Sequence, residues 1–189
     1  MRDWKVYPPD DDTFLLLGAA LALVSPGERV LEVGCGSGFI SAGLLSRANV
    51  VGTDINPHAL RQSREAGIEV VRADLLSGIR GPFDTVIFNP PYLPTREEER
   101  TGDWLDYALD GGEDGLRVIS RFIAQAGRVL APGGRILLLV SSLVDVPKLK
   151  ETIREHGFSC TVFSRYRMEG ETLSVLVLSR GGGPGEGLP

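Results

Sequence analysis

Short apolar segments alternate with helix-like segments along most of this sequence, and this alternation limits the possible folds more than any other feature. The apolar segments are rich in β-branched residues and cover residues 29–34, 50–54, 69–74, 83–89 and 135–141. The helix-like segments between and after them cover residues 40–47, 57–66, 115–130 and 147–156. Strands that are apolar on both faces lie inside parallel sheets, where helices cover both sides. The pattern therefore predicts an α/β fold with a mostly parallel sheet and helices on both faces.

The C-terminal part of the sequence departs from this alternation. Two strand-like segments, 161–168 and 172–179, are separated by only the residues 169–171. A link of this length permits a hairpin and is too short for a parallel crossover. We therefore predict a seven-stranded sheet in which one strand of a C-terminal hairpin runs antiparallel. We expect one domain, residues 1–180, followed by a flexible Gly/Pro-rich tail at residues 181–189.

Composition excludes several classes of protein. The net charge is -5 and no Lys/Arg cluster is present, so the chain lacks the basic surface of a protein that grips nucleic acid unaided. Cys35 and Cys160 form no C-x-x-C pair and no disulfide framework, which fits a reducing cytosol and argues against a metal site built by this chain alone. The apolar stretch 14–24 follows acidic residues and resembles neither a signal peptide nor a membrane span. We expect a cytoplasmic protein.

A glycine-rich turn follows the first strand, within the sequence L-E-V-G-C-G-S-G at residues 31–38. Gly34, Gly36 and Gly38 lack a Cβ, so a ligand could approach the backbone closely, and the next helix offers free N–H groups. Glu32 lies inside the strand, where its carboxylate would favour a cationic ligand group and repel pyrophosphate. The turn is typical of a nucleotide site. A tight turn with glycines needed only for packing is the alternative.

Two acidic residues end the next two predicted strands. Asp54 closes the second strand, where an acid typically accepts hydrogen bonds from ribose hydroxyls. Asp74 is placed to bind the exocyclic amine of an adenine, with apolar neighbours such as Leu75 beside the ring. Each acid alone could be a solvated strand end or a helix cap. Because ligands bind at the carboxyl ends of strands in open α/β sheets, the three strand ends together predict a nucleoside site, which also includes Cys35 and Ile55.

The fourth strand ends at the sequence N-P-P-Y, residues 89–92, because neither proline has an N–H for the sheet ladder. Asn89 offers a side-chain acceptor, and the carbonyl of Pro90 is a second acceptor held rigidly by the ring. Two acceptors can bind both hydrogens of a planar NH2 group, and Tyr92 adds a flat face for stacking. We predict that this motif faces the reactive end of the bound nucleoside. A proline-rich turn with a packed tyrosine is the alternative.

These motifs together resemble the class I S-adenosylmethionine-dependent methyltransferases, in the branch that methylates NH2 groups on planar systems. Further segments are similar to the archaeal and eukaryotic HemK-related release-factor glutamine methyltransferases, namely residues 7–17, 52–60, 104–115 and 171–176. The resemblance covers residues 7–179 and implies a Rossmann-like class I methyltransferase fold with S-adenosyl-L-methionine as cofactor. Adenine and guanine methylases share the N-P-P-Y motif, so only the further segments distinguish the resemblance to the glutamine methyltransferases from one to nucleic-acid methylases.

The resemblance implies N5-methylation of a glutamine side chain in the Gly-Gly-Gln motif of a translation release factor. Asn89 Oδ1 and the Pro90 carbonyl would each accept one amide hydrogen and hold the nitrogen in line with the methyl group. These two residues are the predicted catalytic residues, and Asn89 would also contact the cofactor. Pro91 and Tyr92 would sandwich the glutamine side chain.

The resemblance also implies contacts at the methionine end of the cofactor. Tyr7 and Thr13, near the first helix, would cover this end, and Glu32 or the carbonyl of Gly34 would receive the amino group. The acids before Thr13 could equally cap the helix and complement its dipole, and both roles can hold at once.

Partners follow from the resemblance rather than from composition. Bacterial members of the family carry an N-terminal helical domain that helps to hold the release factor, whereas 28 residues precede Arg29 here, as expected of a minimal form. In the archaeal and eukaryotic branch a small zinc-binding activator protein commonly completes the enzyme. The expected partners are therefore a release factor as substrate and a small zinc-binding activator subunit.

Three other functions remain open from the sequence. They are methylation of adenine or guanine in nucleic acid, methylation of a protein lysine, and cofactor binding without catalysis. A nucleic-acid methylase should add a recognition domain or a basic face, and the sequence contains neither.

The stretch between Pro94 and Gly115 carries eight acidic residues and two arginines, and we expect it to be irregular. A loop of this length usually carries function, often as a lid, and its acids could steer a basic substrate. A solvated face is the alternative.

Overall fold

The computed structural model describes residues 5–99 and 102–180, and the predicted tail at residues 181–189 lies outside them. The helices are α1 (Asp11–Leu23), α2 (Phe39–Leu44), α3 (Pro57–Glu65), α4 (Trp104–Leu109), α5 (Arg117–Ala126) and α6 (Val146–Glu155). The strands are β1 (Arg29–Val33), β2 (Asn49–Asp54), β3 (Glu69–Arg72), β4 (Phe83–Phe88), β5 (Leu93–Pro94), β6 (Asp110–Gly112), β7 (Leu130–Ser141), β8 (Phe158–Met168) and β9 (Glu171–Arg180). A 3-10 helix covers Glu97–Glu99. None of the helices described here is both long enough and apolar enough to cross a membrane.

Seven strands form one sheet, in the order β3-β2-β1-β4-β7-β9-β8. The pairs among β3, β2, β1, β4 and β7 are parallel, while β9 runs antiparallel to both β7 and β8. The predicted mostly parallel, seven-stranded sheet with a C-terminal hairpin is confirmed. The chain passes from β1 to β2 and β3 on one side and then crosses to β4 on the other side. The gap between β1 and β4 is therefore the topological switch point, where open α/β sheets bind ligands.

The strands are apolar because both faces of the sheet are covered. Alternate residues of β4 point to opposite faces, so Val86 and Phe88 pack with residues of α5 and α6, and Ile87 packs with residues of α1 and α2. The rings of Phe88 and Phe122 stand 4.6 Å apart. Burial of a side chain of this size contributes roughly 1.5–3 kcal/mol, so these two layers hold the end of β4 firmly in position.

Some boundaries differ from the prediction. Helix α5 spans Arg117–Ala126 rather than residues 115–130, because the chain from Leu130 already belongs to β7, where it pairs with Phe83 of β4. Strand β3 ends at Arg72, so Asp74 lies in the turn beyond the strand rather than within it.

The prediction that residues 94–115 are irregular is wrong. The short strands β5 and β6 pair with each other and enclose the 3-10 helix and α4. The carboxylate of Asp103 starts α4, because it accepts hydrogen bonds from the N–H groups of Leu105 (2.9 Å) and Asp106 (3.1 Å). A cap and a strand pairing thus give this acidic segment a defined structure.

Gly38 ends the glycine turn with a φ of +79° and precedes α2 directly. A Cβ at this position would collide with Ile68 Cδ1 and lie 2.8 Å from Ser63 Oγ. We expect Gly38→Ala to lower the free energy of unfolding by about 3 kcal/mol, because the left-handed backbone and the close packing both oppose a side chain. Urea denaturation measures the loss.

Gly67→Ala is the matched control. Gly67 also has a positive φ, +86°, but a Cβ there would meet no described atom within 4 Å. We expect this variant to lose only about 1 kcal/mol, for the backbone strain alone. Equal losses in the two variants would contradict the packing role of Gly38.

Candidate active site

A cavity of about 570 Å³ opens at the carboxyl ends of β1, β2 and β4. Cavities of this size are typical of small-molecule sites. The site residues predicted from the sequence line this cavity, except Gly38, and they are Tyr7, Thr13, Glu32, Gly34, Cys35, Gly36, Asp54, Ile55, Asp74, Leu75, Asn89, Pro90, Pro91 and Tyr92. Gly38 instead lies behind the turn, against Ile68 and Ser63.

The glycine turn is held in place from the neighbouring strand and helix. The Gly36 N–H donates to Asp54 Oδ2 (2.9 Å), and the Cys35 N–H donates to the carbonyl of Thr53 (2.9 Å). The hydroxyl of Ser63 on α3 donates to the Gly36 carbonyl (3.0 Å). A Cβ on Gly36 would meet no described atom within 4 Å, so open space lies beside the backbone here. A ligand can therefore approach the turn closely without displacing a side chain.

Asp54 both braces the turn and faces the cavity. Its Oδ1 accepts a hydrogen bond from the Asn56 N–H (2.8 Å), while its Oδ2 binds the glycine turn. Burial raises the pKa of this carboxyl, and the backbone hydrogen bonds partly offset the effect. Since each carboxylate oxygen has two lone pairs, both oxygens retain room for a ligand hydroxyl.

Glu32 is a buried carboxyl at the end of β1, with only 4% of its surface exposed. Its Oε2 accepts hydrogen bonds from the backbone N–H (2.9 Å) and the hydroxyl of Ser41 on α2. Burial is the main cause that raises its pKa to about 8, and the hydrogen bonds from Ser41 oppose this rise. The protonated form is therefore favoured near neutral pH, unless a cationic ligand group lies beside the carboxylate.

The cysteines do not supply a nucleophile. Burial raises the pKa of both Cys35 and Cys160 to about 12. Because the thiolate is the reactive form, these buried thiols are inert at neutral pH. Among residues 5–99 and 102–180 no group of three or more His, Cys, Asp or Glu side chains is arranged to hold a metal ion.

The N-P-P-Y motif leaves β4 at the edge of the cavity. Asn89 Oδ1 is buried and has no hydrogen-bond partner among the described residues. An unpaired buried acceptor costs roughly 1–3 kcal/mol, which a bound donor would recover. Tyr92 is half-buried and packs against both apolar layers. The motif therefore combines the packed ring of Tyr92 with an acceptor, Asn89 Oδ1, that receives no hydrogen bond from the described residues.

The carboxylate of Asp12 also lies near the N-P-P-Y motif, and the sequence did not predict it as a site residue. Asp12 is buried, and its carboxylate accepts hydrogen bonds from the Tyr7 hydroxyl (3.4 Å) and the Thr13 hydroxyl (3.0 Å). Burial and the charge of Asp12 raise the pKa of Tyr7. The alternative that an acid of D-D-D-T caps the helix is confirmed for Asp10, whereas Asp12 is buried. A repeat of three acids cannot show by itself which one faces the core.

Asp74 does not stand alone at its end of the cavity. Its Oδ2 pairs with Arg121 Nη2 of α5 at 2.6 Å, and both side chains are about half exposed. An exposed ion pair of this kind contributes only about 0–1 kcal/mol to stability, so a ligand could replace Arg121 as the partner of Asp74 at little cost. The next residue, Leu75, has a φ of +53°, the one non-glycine residue with positive φ in the described chain. Sequence reasoning missed Arg121, since no motif marks it.

Helix α4 also borders the cavity, which the sequence did not predict. Its residues Trp104, Tyr107 and Leu109 line the cavity. At the end of this segment the buried Asp110 pairs with Arg117 Nη2 of α5 (2.7 Å). The signal for these positions was present only as part of the family-like segment 104–115.

Comparison with known proteins agrees with these motifs. Residues 9–103 match the family model described as methyltransferase small domain. The chain is 34% identical to a putative protein N5-glutamine methyltransferase of Methanocaldococcus jannaschii, over 91% of this chain and 90% of that protein. It is 37% identical to a release factor glutamine methyltransferase of Deinococcus radiodurans, over 85% of this chain and 63% of that protein.

A solved structure is similar over nearly the whole chain. It is the Mtq2–Trm112 complex of E. cuniculi, described as responsible for methylation of the translation termination factor eRF1. The TM-score is 0.80 at 30% sequence identity, and the match covers 94% of this chain and 100% of that chain.

The raised pKa of Glu32 makes stability depend on pH. Between pH about 4.5 and about 8 the folded protein keeps a proton on Glu32 that the unfolded chain has lost, so the free energy of unfolding falls as pH rises through this window. We expect Glu32→Gln, which stays neutral, to remove this contribution and flatten the decline. Urea denaturation of the ligand-free protein at several pH values measures it.

Glu65→Gln is the matched control, because Glu65 is exposed in an i,i+4 pair with Arg61. We expect this variant to follow the pH dependence of the parent protein. Identical pH dependence in the parent and Glu32→Gln would contradict the proposed titration of Glu32.

Proposed function

We propose, since the chain belongs to the HemK-related release-factor glutamine methyltransferases, that it transfers a methyl group from S-adenosylmethionine to N5 of a glutamine in a translation release factor. The observation that carries this proposal is the buried Asn89 Oδ1, which lacks a hydrogen-bond partner among the described residues and borders the cavity. The names of the relatives support the choice of a release-factor glutamine as acceptor.

The cavity suits the proposed cofactor at each of its parts. When bound, S-adenosylmethionine supplies an electrophilic methyl group on a cationic sulfur. Glu32 and the carbonyl of Gly34 would hold the amino group of its methionine part, Asp54 would hold the ribose, and Asp74 with Leu75 would hold the adenine. The cationic amino group would favour the charged form of Glu32 and so offset the cost of its burial. The remaining proposed contacts are Tyr7, Thr13, Cys35, Gly36, Ile55 and Asn89, whereas Gly38 does not line the cavity and shapes the turn from behind.

The substrate amide needs to be held precisely because it is a poor nucleophile. Its nitrogen lone pair is delocalised into the carbonyl, so position and electrostatics must lower the barrier. Asn89 Oδ1 and the Pro90 carbonyl would accept one amide hydrogen each and aim the nitrogen at the methyl group. Pro91 and Tyr92 would pack on the two faces of the side chain. The unpaired state of Asn89 Oδ1 supports this role.

Nearby carboxylates favour a positive charge on the acceptor nitrogen. Burial is the main cause that raises the pKa of Tyr92, and the charges of Asp12 and Glu171 raise it further, so negative potential reaches this position. Glu171 Oε1 is held by the hydroxyl of Ser141 (2.6 Å). The same potential would stabilise the charge that grows on the nitrogen during methyl transfer. The proton can then leave to water, so this mechanism needs no general base.

We propose a small activator protein as a second partner. The similar Mtq2 of E. cuniculi was solved in complex with Trm112, which supports a small companion subunit. That this subunit binds zinc follows from the family resemblance. We also propose a cytoplasmic location, because translation termination takes place there.

Asn89→Ala removes one of the two proposed acceptors. We expect kcat to fall about a hundredfold or more, the usual effect of losing one such electrostatic contact, while affinity for the cofactor is largely retained because its other proposed contacts remain. Transfer of labelled methyl from S-adenosylmethionine to a release factor measures turnover, and calorimetry measures affinity. Asn49→Ala, which removes an exposed asparagine at the start of β2, is the matched control with unchanged kcat. Unchanged turnover in Asn89→Ala would refute its role.

The nature of the acceptor is tested with alternative substrates. We expect label on a release factor that carries Gly-Gly-Gln, with and without a Trm112-like activator compared side by side. Replacement of the substrate glutamine by lysine should abolish transfer. Label on DNA or rRNA alone, or on the lysine variant, would overturn the proposed acceptor in favour of another NH2 group.

A further inference from the structure

Helix α4 carries large apolar side chains that the protein itself does not bury. It contains Trp104, Leu105, Tyr107 and Leu109, and none of the six residues of the helix is fully buried, because five are partly buried and one is exposed. Tyr107 is 59% exposed. A helix so short is not stable by its own backbone hydrogen bonds and normally depends on packing of an apolar face. The apolar face of α4 therefore lacks part of its packing in the ligand-free protein.

The position of α4 is nevertheless well defined. Its first turn is capped by Asp103, and the pairing of β5 with β6 closes the segment. The buried carboxylate of Asp110 accepts hydrogen bonds from the Gly112 N–H (2.8 Å) and from Arg117 Nη2 (2.7 Å). These polar contacts hold the helix over the cavity without using its aromatic side chains.

Trp104 lies at the nucleoside end of the cavity. Its ring meets the ring of His58 edge to face, with centroids 6.3 Å apart and planes at 75°. His58 stands in the first turn of α3, four residues after Asp54, so this contact places Trp104 beside the strand end proposed to hold the ribose. Tyr107 lies three residues later on α4, and its ring centroid is 5.4 Å from that of Trp104.

From this arrangement we propose that Trp104 is a cofactor-binding residue, whose ring packs against the nucleoside part of bound S-adenosylmethionine. The inference rests on the proposed function, and it adds to the proposed cofactor site a residue of α4, which does not belong to a strand end. The indole ring is planar and apolar with one N–H donor, which suits it to a purine or the apolar face of a ribose. Cofactor binding would supply the packing that the apolar face of α4 lacks.

The proposal is tested with S-adenosylhomocysteine, which binds without turnover. Calorimetry should show that Trp104→Ala weakens binding of this compound about tenfold, as expected for loss of one aromatic contact to a base. Trp104→Phe should restore most of the affinity, because a phenyl ring can still pack against the nucleoside. Phe163→Ala removes an exposed aromatic residue from β8 at the edge of the sheet, outside the cavity lining, and should leave affinity unchanged.

Fluorescence gives a second readout that a purely structural role would not move. The chain has two tryptophans, so Trp4→Phe leaves Trp104 as the only reporter. Its emission should change saturably with S-adenosylhomocysteine and with adenosine, but not with methionine. Unchanged affinity for S-adenosylhomocysteine in Trp104→Ala would overturn the proposal and leave the proposed function intact. The same holds if adenosine binds by calorimetry but does not change the emission of Trp104. Failure of the parent protein to bind S-adenosylhomocysteine would overturn both.

Discussion

The parallel alignment of β1, β2 and β4 is the constraint on which the rest of the site depends. Val33 of β1 is level with Thr53 of β2 and with Phe88 of β4, so the chain leaves the three strands at the same height. The glycine turn, Asp54 and Asn89 follow directly, although they are far apart in the sequence. The hydrogen bond from the glycine turn to Asp54 then locks two of these ends together. Two apolar layers hold this alignment, and the site inherits its precision from them.

Two buried polar groups of the candidate site lack a matching partner among the described residues. Glu32 is buried without a cationic partner among the described residues, and Asn89 Oδ1 is buried without a donor. Other buried polar atoms without a partner, such as Thr53 Oγ1 of β2 and Ser174 Oγ of β9, lie within strands of the sheet. We propose that each of these two groups binds one end of the reacting pair, the Glu32 carboxylate a cationic amino group and Asn89 Oδ1 an amide hydrogen. Binding of these groups would recover the free energy that the burial of Glu32 and of Asn89 Oδ1 costs.

The segment between Pro94 and Gly115 shows where local sequence patterns are insufficient. Its many acids and lack of periodicity suggested an irregular loop, yet it contains a capped helix and a strand pair. Helix α4 has only six residues, too few for a hydrophobic period to be visible. The pairing of β5 with β6 joins residues on both sides of this helix, so it depends on contacts that a short sequence window does not contain. The acids of this segment do not simply form a solvated face. Asp103 caps a helix, and Asp110 is buried in an ion pair.

The sequence by itself determined the sheet, its hairpin and the part of the cavity lining that follows the strand ends, because these follow from local features. Strand alternation, glycines without Cβ atoms and the two prolines after Asn89 act within a few residues, and open α/β sheets always bring strand ends together. Only the tertiary structure decided which side chains approach from other elements, such as Arg121 beside Asp74 and Trp104 beside His58. Those pairings depend on how helices pack across the sheet edge, and side-chain packing of this kind leaves no periodic signal in the chain.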